Sequence, residues 1–217
     1  PVGPAQQTGV TGIFADEVMP MRLPPKYEEV IARDGFVRPD TTIEKLGALS
    51  AVFARKYGTV TAGNSSPLTD GAAALLVMSE SKAEELGFEP LAFVRSWAFA
   101  ALDPAWQLLM GPYFAAPIAL DRAGLGLADM DVVDMHEAFA AQILSNLQAF
   151  ASKEWTKKHL GRDAPVGAVP DAKLNLYGGS ISIGHPFSAT GARQALTMAK
   201  ELARRGKGRA LITQCAA

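Results

Sequence analysis

Residues 132–139 read VVDMHEAF, and this stretch decides the fold because a short apolar run ends on a histidine and leads into a helical pattern. Valines before His136 are typical of a buried strand, and apolar residues recur along one face of the following segment, as in a helix. The pattern therefore places His136 at the carboxyl end of a strand, where open α/β sheets bind ligands.

Outward from this stretch, helical and strand patterns alternate. The sequence predicts an α/β layer with a largely buried sheet. Its expected elements are a helix over 79–86, a strand over 91–98, a helix over 113–123 closed by Gly124, a strand over 131–135, a helix over 138–159, a glycine-rich stretch over 174–184, a helix over 189–205 and a strand over 209–213. The apolar run 72–78 suits a buried strand, or a helix followed by one.

Composition sets wide limits. A chain of 217 residues with 48% apolar residues can bury one sizeable core, or one domain plus pieces of a second. A net charge of −1 gives no general field for nucleic acid or an anionic membrane, and no uninterrupted apolar run of membrane-spanning length occurs. The single cysteine excludes an internal disulfide framework and a cysteine-rich zinc site. Because the chain starts at Pro1 and stops soon after its last motif, we expect a fragment.

Three residues are candidates for chemistry. His136 ends a strand, although a lone histidine there can equally be a cap or a core residue. His185 lies in GGSISIGHP (178–186), where small residues let a ligand approach the backbone and where the next helix begins; a turn tightened for packing is the alternative. Cys215 ends the last strand, and by its type it could simply be a small buried apolar residue. An adjacent His185 would make that thiol reactive.

Other chemistries are disfavoured by spacing. The histidines at 136, 159 and 185 lack the short spacing of a helical metal pair, so we predict no metal. Residues 161–167 lack the Lys-Ser/Thr ending of a phosphate loop, and no Gly-x-Gly-x-x-Gly follows a strand. Nucleotide hydrolysis and nicotinamide redox chemistry are therefore disfavoured.

Read together, several segments resemble the C-terminal half of the thiolase family. They are GTVTAGNSS (58–66), LTDGAAA (68–74), HEAFAAQ (136–142), GGSI (178–181), GHP (184–186), ATGAR (189–193) and the final CAA (215–217). Most thiolases carry Asn-Glu-Ala-Phe where this chain has HEAF, and the histidine form looks like the thiolase (β) subunit of fatty-acid oxidation trifunctional complexes.

The resemblance implies a layered αβαβα fold, here mainly its C-terminal βαβαβ half with a mixed sheet. It divides the chain into part of the loop or covering domain (1–60), the end of the N-terminal domain (61–80) and a C-terminal domain cut at its end (81–217). It further implies a homodimer, a possible hydratase/dehydrogenase α subunit, no nucleic acid, and a bacterial cytoplasm, or a mitochondrial matrix if the protein is eukaryotic.

The resemblance also implies residue roles in 3-ketoacyl-CoA cleavage. A cysteine of the N-terminal half is acylated, His185 activates it, Cys215 shuttles the proton to and from the acetyl carbanion, and His136 with His185 binds the thioester oxygen. Ser66, Phe139, Gly184 and Ala217 are the expected substrate and CoA contacts, Ala217 through its backbone N–H. Coenzyme A is a substrate, and no cofactor is expected.

The sequence departs from the thiolase family in one respect. Cys215 matches the acid/base position, so the family's nucleophile is absent from this sequence and the chain alone is expected to be inactive. The first alternative is a biosynthetic acetoacetyl-CoA thiolase. The second is an inactive thiolase-like subunit with a structural or acyl-CoA-binding role.

Overall fold

The computed structural model describes residues 12–215. Its strands in chain order are β1 (Met21–Arg22), β2 (Val30–Ile31), β3 (Val132–Met135) and β4 (Ala210–Thr213). Its helices are α1 (Ile43–Gly47), α2 (Glu80–Leu86), α3 (Pro104–Gln107), α4 (Gly111–Ala123), α5 (Ala140–Ala151), α6 (Lys153–Leu160), α7 (Ser180–Ile183) and α8 (Thr190–Arg205). Single 3₁₀ turns lie at Ala62–Asn64, Leu127–Asp129 and Asp171–Lys173.

The centre of the fold is a parallel pair of strands, β3 and β4. Val132 lies opposite Ala210 and Met135 opposite Thr213. Every residue of β3 is buried, as expected for a parallel strand covered on both faces. The ladder continues past β3, because the backbone N–H of His136 donates to the carbonyl of Thr213 over 2.9 Å. The two strands therefore end at the same edge, with His136 and Cys215 just beyond them.

Helices cover this strand pair. α8 packs on both strands, and α4 packs on α5. Tyr113 and Phe150 are fully buried and their rings lie 5.8 Å apart at the centre of the core. The remaining buried apolar residues of this cluster are Ala116, Leu120, Leu127, Met130, Val133, Met135, Ile143, Ala149 and Leu211. Burial of this cluster is the main stabilising contribution.

Five predicted elements are confirmed within a residue or two at each end: α2, α4, β3, α8 and β4. α4 ends where expected, because Gly124 adopts a left-handed φ of 67° that side chains other than glycine disfavour. α2 begins at the cap Ser79, whose side chain accepts a hydrogen bond from the backbone N–H of Lys82.

The strand predicted over 91–98 is wrong, and so is a buried element over 72–78. Neither 72–78 nor 91–98 forms a helix or a strand. Val77 and Val94 are about three-quarters exposed. A buried strand needs neighbours to pair its backbone groups and to cover its side chains. Among residues 12–215, neither segment has such a neighbour.

The single helix predicted over 138–159 is also wrong, because Ser152 divides it into α5 and α6. Ser152 is extended, with φ −86° and ψ 115°, and its side chain accepts from the backbone N–H of Trp155. Serine favours this capping conformation over a helix interior. An apolar stripe that continues across the break conceals it in the sequence.

Residues 12–60 contain little regular secondary structure. They include the antiparallel pair of β1 and β2 and the one-turn helix α1. Two of these residues contact α8: Glu17 accepts from Thr197 over 2.7 Å, and Asp16 pairs with Lys200 at 2.9 Å. Between residues 12 and 215 no helix has both the length and the apolar character needed to cross a bilayer.

Candidate active site

Two histidines that are distant in sequence stack on each other at the carboxyl edge of β3. The ring centroids of His136 and His185 lie 3.9 Å apart, with 34° between the ring planes. His136 directly follows β3, and His185 lies in the glycine-rich loop between α7 and α8. His136 is only 2% exposed, whereas His185 is partly open. The structure therefore brings together two of the three predicted catalytic residues.

Each imidazole is held at Nδ1 by a buried hydroxyl. Nδ1 of His136 lies 2.7 Å from Oγ of Ser180, and Nδ1 of His185 lies 2.7 Å from Oγ1 of Thr190. Both hydroxyl residues are almost wholly inaccessible to solvent. These bonds fix the orientation of the two rings and leave both Nε2 atoms for a ligand.

Both histidines are neutral at pH 7. Burial lowers the pKa of His136 to about 4, with smaller contributions from repulsion between the two imidazoles when protonated and from the charge of Arg193. Burial and the charge of Arg193 also lower the pKa of His185 below its usual value. A neutral imidazole has one N–H and one lone pair, so each ring can donate one hydrogen bond and accept one proton.

This pKa predicts a pH dependence of stability. Below about pH 6.5 His136 becomes protonated in the unfolded chain but stays neutral in the folded chain. The free energy of unfolding therefore falls as the pH drops toward 4. The full contribution is about 3 kcal/mol. Urea unfolding at pH 7 and pH 4.5 should show a smaller acid-induced loss in His136→Asn than in the unchanged chain.

Buried carboxyl groups do not confound this comparison. Burial raises the pKa of Asp134 and of Glu137, so these two carboxyl groups favour the folded state as the pH falls. Both groups are present in the unchanged chain and in His136→Asn, so their effect is common to the two proteins. Identical acid-induced losses in the two proteins would show that His136 does not titrate below its ordinary range.

Cys215 follows β4 at the same edge as His136. Its thiol is buried and lies near the backbone amide of Ala138, two residues after His136. Burial raises the pKa of this thiol, so it stays protonated at neutral pH and suits an acid better than a resting nucleophile. Within residues 12–215 no hydrogen bond joins Cys215 to His185, so the structure brings Cys215 to the shared edge without pairing it directly with that histidine.

Glu137 holds the glycine-rich loop against the strand. Its carboxylate accepts from Nδ2 of Asn175 over 2.8 Å and from the backbone N–H of Ile181 over 3.2 Å. A Cβ at Gly179 would lie 2.4 Å from this carboxylate, so any larger residue there would displace the Glu137 side chain. No spacing signal in the sequence connects Glu137 to Gly179.

A second polar network, also missed from the sequence, lies behind the strand ends. The buried carboxylate of Asp134 accepts from Nε2 of Gln194, whose Oε1 accepts from Gln214 over 2.8 Å. Arg193, one residue before Gln194, interacts electrostatically with the carboxylates of Asp134, Glu137, Glu17 and Asp34. This network ties α8 to β3 and to the residue before Cys215.

The segment 65–71 contacts the loops that follow His136 and precede α8. Ser65 pairs with Phe139, and the backbone N–H of Ser66 donates to the carbonyl of Ala138 over 2.9 Å. Leu68 forms a parallel bridge with His185. The structure therefore places Ser66 beside Phe139, and this segment fixes the His185 loop from the outside.

Gly184 precedes His185 in a conformation that demands glycine. Its φ is 97°, and an added Cβ would lie 2.5 Å from Cγ2 of Thr69. We expect Gly184→Ala to lower the free energy of unfolding by about 1–3 kcal/mol. Chemical denaturation measures this, with Gly47→Ala as control, because nothing lies within 4 Å of the Cβ position at Gly47. Equal stability of the two variants would contradict the geometry at Gly184.

A largely apolar cleft of about 360 Å³ opens beside Phe139. Phe53 meets Phe139 edge to face at 6.3 Å, and Trp106, Leu108 and Met110 complete the apolar wall. Gln142 also lines the cleft, and both of its amide atoms are buried without a partner among the described residues. Apolar walls with a few polar groups are typical of small-molecule sites.

Ala217 lies outside the described residues. Within residues 12–215, no cluster of three or more His, Cys, Asp or Glu side chains could hold a metal ion. The absence of a metal stays a prediction.

The chain matches known protein families over nearly its whole length. Residues 4–81 match the model of the thiolase N-terminal domain, and residues 88–217 match that of the thiolase C-terminal domain. It is 53% identical to a 3-ketoacyl-CoA thiolase of Pectobacterium atrosepticum and 52% identical to one of Yersinia enterocolitica, over 98% of this chain in each case. These alignments cover 48% and 49% of the relatives, so the chain spans about half the length of the curated relatives it matches.

Solved structures agree with these matches. The acetyl-CoA acetyltransferase of Bacillus anthracis superposes with a TM-score of 0.82 at 33% identity, over 98% of this chain and 50% of that one. Human mitochondrial 3-ketoacyl-CoA thiolase in complex with CoA superposes with a TM-score of 0.75 at 34% identity, over 94% of this chain and 46% of that one. The predicted α/β fold of thiolase type is thereby confirmed. Fold, family models and relatives agree that the chain belongs to the thiolase family.

Proposed function

We propose that this chain forms the acid/base half of a 3-ketoacyl-CoA thiolase of fatty-acid β-oxidation. The reaction is the cleavage of 3-ketoacyl-CoA by CoA into acetyl-CoA and a shortened acyl-CoA. The observation that carries the proposal is the stacked pair of neutral histidines, His136 and His185, at the edge that also holds the buried thiol of Cys215. An acyltransferase of this kind needs a base, an acid and an oxyanion donor in one place.

The first half-reaction begins at His185. Its imidazole takes the proton of a cysteine thiol supplied by the N-terminal half, and the thiolate attacks C3 of the substrate. The C2–C3 bond breaks, and its electron pair moves into the thioester enolate. His136, and His185 once it has taken the cysteine proton, donate to the enolate oxygen, and the Cys215 thiol gives its proton to C2, which releases acetyl-CoA.

The second half-reaction regenerates the site. The Cys215 thiolate takes the proton of an incoming CoA thiol, and the CoA sulfur attacks the acyl-cysteine carbonyl. The shortened acyl-CoA leaves, the cysteine departs as a thiolate, and the protonated His185 returns the proton to it, which restores the starting state. The proposed covalent intermediate implies ping-pong kinetics. The backbone N–H of Ala217 is proposed as the oxyanion donor for the attacked carbonyl.

Ser66, Phe139 and Gly184 are the proposed contacts of the CoA portion and the acyl group. Support comes from the adjacency of Ser66 and Phe139 and from the cleft beside Phe139. The largely apolar walls of the cleft suit the acyl portion of the substrate. Coenzyme A is proposed as a substrate, with no further cofactor.

Assembly, domain division and location are also proposals. We expect the chain to form a homodimer, to bind no nucleic acid and to lie in a bacterial cytoplasm. Because the HEAF motif resembles the trifunctional-complex subgroup, we also expect it to associate with a hydratase/dehydrogenase α subunit. The bacterial relatives support the location. The proposed division of the chain is 1–60 as covering domain, 61–80 as the end of the N-terminal domain and 81–217 as the C-terminal domain.

The test joins this chain to the N-terminal half of the Pectobacterium relative. We expect CoA-dependent cleavage of 3-ketoacyl-CoA substrates longer than acetoacetyl-CoA. Cleavage of acetoacetyl-CoA alone would favour the biosynthetic thiolase. Binding of acyl-CoA without any cleavage would favour the inactive subunit and would overturn the proposal.

A further inference from the structure

The two hydroxyls that hold the stacked histidines differ in their other contacts. Ser180 and Thr190 each lie 2.7 Å from an imidazole Nδ1, so distance alone does not tell which atom carries the hydrogen. A hydroxyl has one hydrogen to donate and lone pairs to accept with. The remaining partners of each hydroxyl therefore determine the direction of each bond.

Ser180 has a single partner. Its residue is completely buried, and within residues 12–215 its Oγ bonds only to Nδ1 of His136. If this oxygen accepted from an Nδ1–H, its own hydrogen would be buried with no acceptor, which is unfavourable. Ser180 therefore donates to Nδ1, and neutral His136 carries its hydrogen on Nε2.

Thr190 has a second partner that can only accept. Its Oγ1 lies 3.2 Å from the carbonyl oxygen of Pro186, one helical turn earlier. A hydroxyl that donates to this carbonyl has only lone pairs left for the ring. Nδ1 of His185 then donates to Thr190, and neutral His185 has a bare lone pair at Nε2.

We propose that Ser180 and Thr190 hold the stacked histidines in opposite neutral tautomers, so that His136 presents an N–H and His185 a lone pair at Nε2. Both hydroxyls are positioning residues that act through the imidazoles. The consequence for catalysis rests on the proposed function: a bare Nε2 can take a thiol proton, whereas an Nε2–H can donate to a thioester oxygen. One imidazole is thus prepared as the base and its neighbour as the donor.

The tautomers can be read directly from ¹⁵N-labelled histidine in the whole 217-residue chain at pH 7. The chain has three histidines, so His159→Gln and His136→Asn assign the signals. We expect a protonated-type ¹⁵N shift for Nε2 of His136 and for Nδ1 of His185, and unprotonated-type shifts for the other two nitrogens. The same tautomer in both rings would overturn the proposal.

Variants test the hydroxyls themselves. Ser180→Ala is expected to shift His136 toward the averaged ¹⁵N shifts of a mixed tautomer, and Thr190→Val to do so for His185, whereas Thr190→Ser restores the original pattern. Ser182→Ala is the matched control in α7, because its hydroxyl donates to the Gly179 carbonyl and contacts neither ring. Unchanged shifts in both Ser180→Ala and Thr190→Val would contradict the proposal.

This readout is independent of turnover. Opposite tautomers together with no thiolytic cleavage in the joined protein would reject the proposed function and keep the tautomer assignment. Cleavage together with identical tautomers would do the reverse.

Discussion

Replacing His185 with alanine is expected to slow acyl-enzyme formation by about 10²–10⁴-fold in the chain joined to a thiolase N-terminal half. His185 is the imidazole with the proposed free lone pair, and Thr190 holds its ring in place through Nδ1. Without this base the attacking cysteine stays largely protonated at neutral pH, because an unperturbed thiol has a pKa of about 8.5. Rapid quenching followed by intact-protein mass spectrometry measures the rate of acylation.

A histidine outside the site provides the control for this prediction. His159 stacks on Trp155, with ring centroids 4.1 Å apart, at the end of α6. His159→Gln is expected to acylate at the unchanged rate. If His185→Ala acylated as fast as His159→Gln, His185 would not be the base.

Replacing Cys215 with alanine is expected to slow overall thiolysis by about 10²–10⁴-fold, because the enolate formed at C2 loses its proton donor. Burial raises the pKa of this thiol and keeps its proton in place until the enolate forms. The most specific measurement is exchange of the C2 hydrogens of acetyl-CoA with deuterium from solvent. This exchange requires removal and return of a proton at C2.

The conservative variant separates proton transfer from packing. Cys215→Ser keeps a small side chain with a hydrogen but is a much weaker acid, so we expect slow exchange in Cys215→Ser and slower exchange still in Cys215→Ala. Deuterium exchange at the original rate in Cys215→Ala would assign the proton transfer to another group.

Local sequence patterns predicted much of the fold because those patterns have local causes. The valines of β3, the glycine that ends α4 and the apolar face of α8 each determine their element through nearby residues. The segment 91–98 has an equally strong apolar pattern, yet its secondary structure depends on neighbours that the described chain does not provide. The break at Ser152 was missed because a capping serine within a continuous apolar stripe is not visible from periodicity.

Some residues of the candidate site could be identified from the sequence, and others could not. His136, His185 and Cys215 could be selected because each ends an apolar or glycine-rich run, and the resemblance to thiolases supplied their expected roles. The groups that position them could not be predicted. Glu137 reaches Ile181 and Ser180 reaches His136 only after the loop folds back onto β3, and these contacts follow from tertiary packing.

The location of the acyl group tests the central claim most directly. The chain joined to a thiolase N-terminal half is mixed with a 3-ketoacyl-CoA, quenched before CoA is added, and digested for peptide mass spectrometry. We predict that the acyl group is on a cysteine of the N-terminal half, that Cys215 is unmodified, and that the adduct is lost in His185→Ala. An acyl group on Cys215, or an undiminished adduct in His185→Ala, would contradict the account.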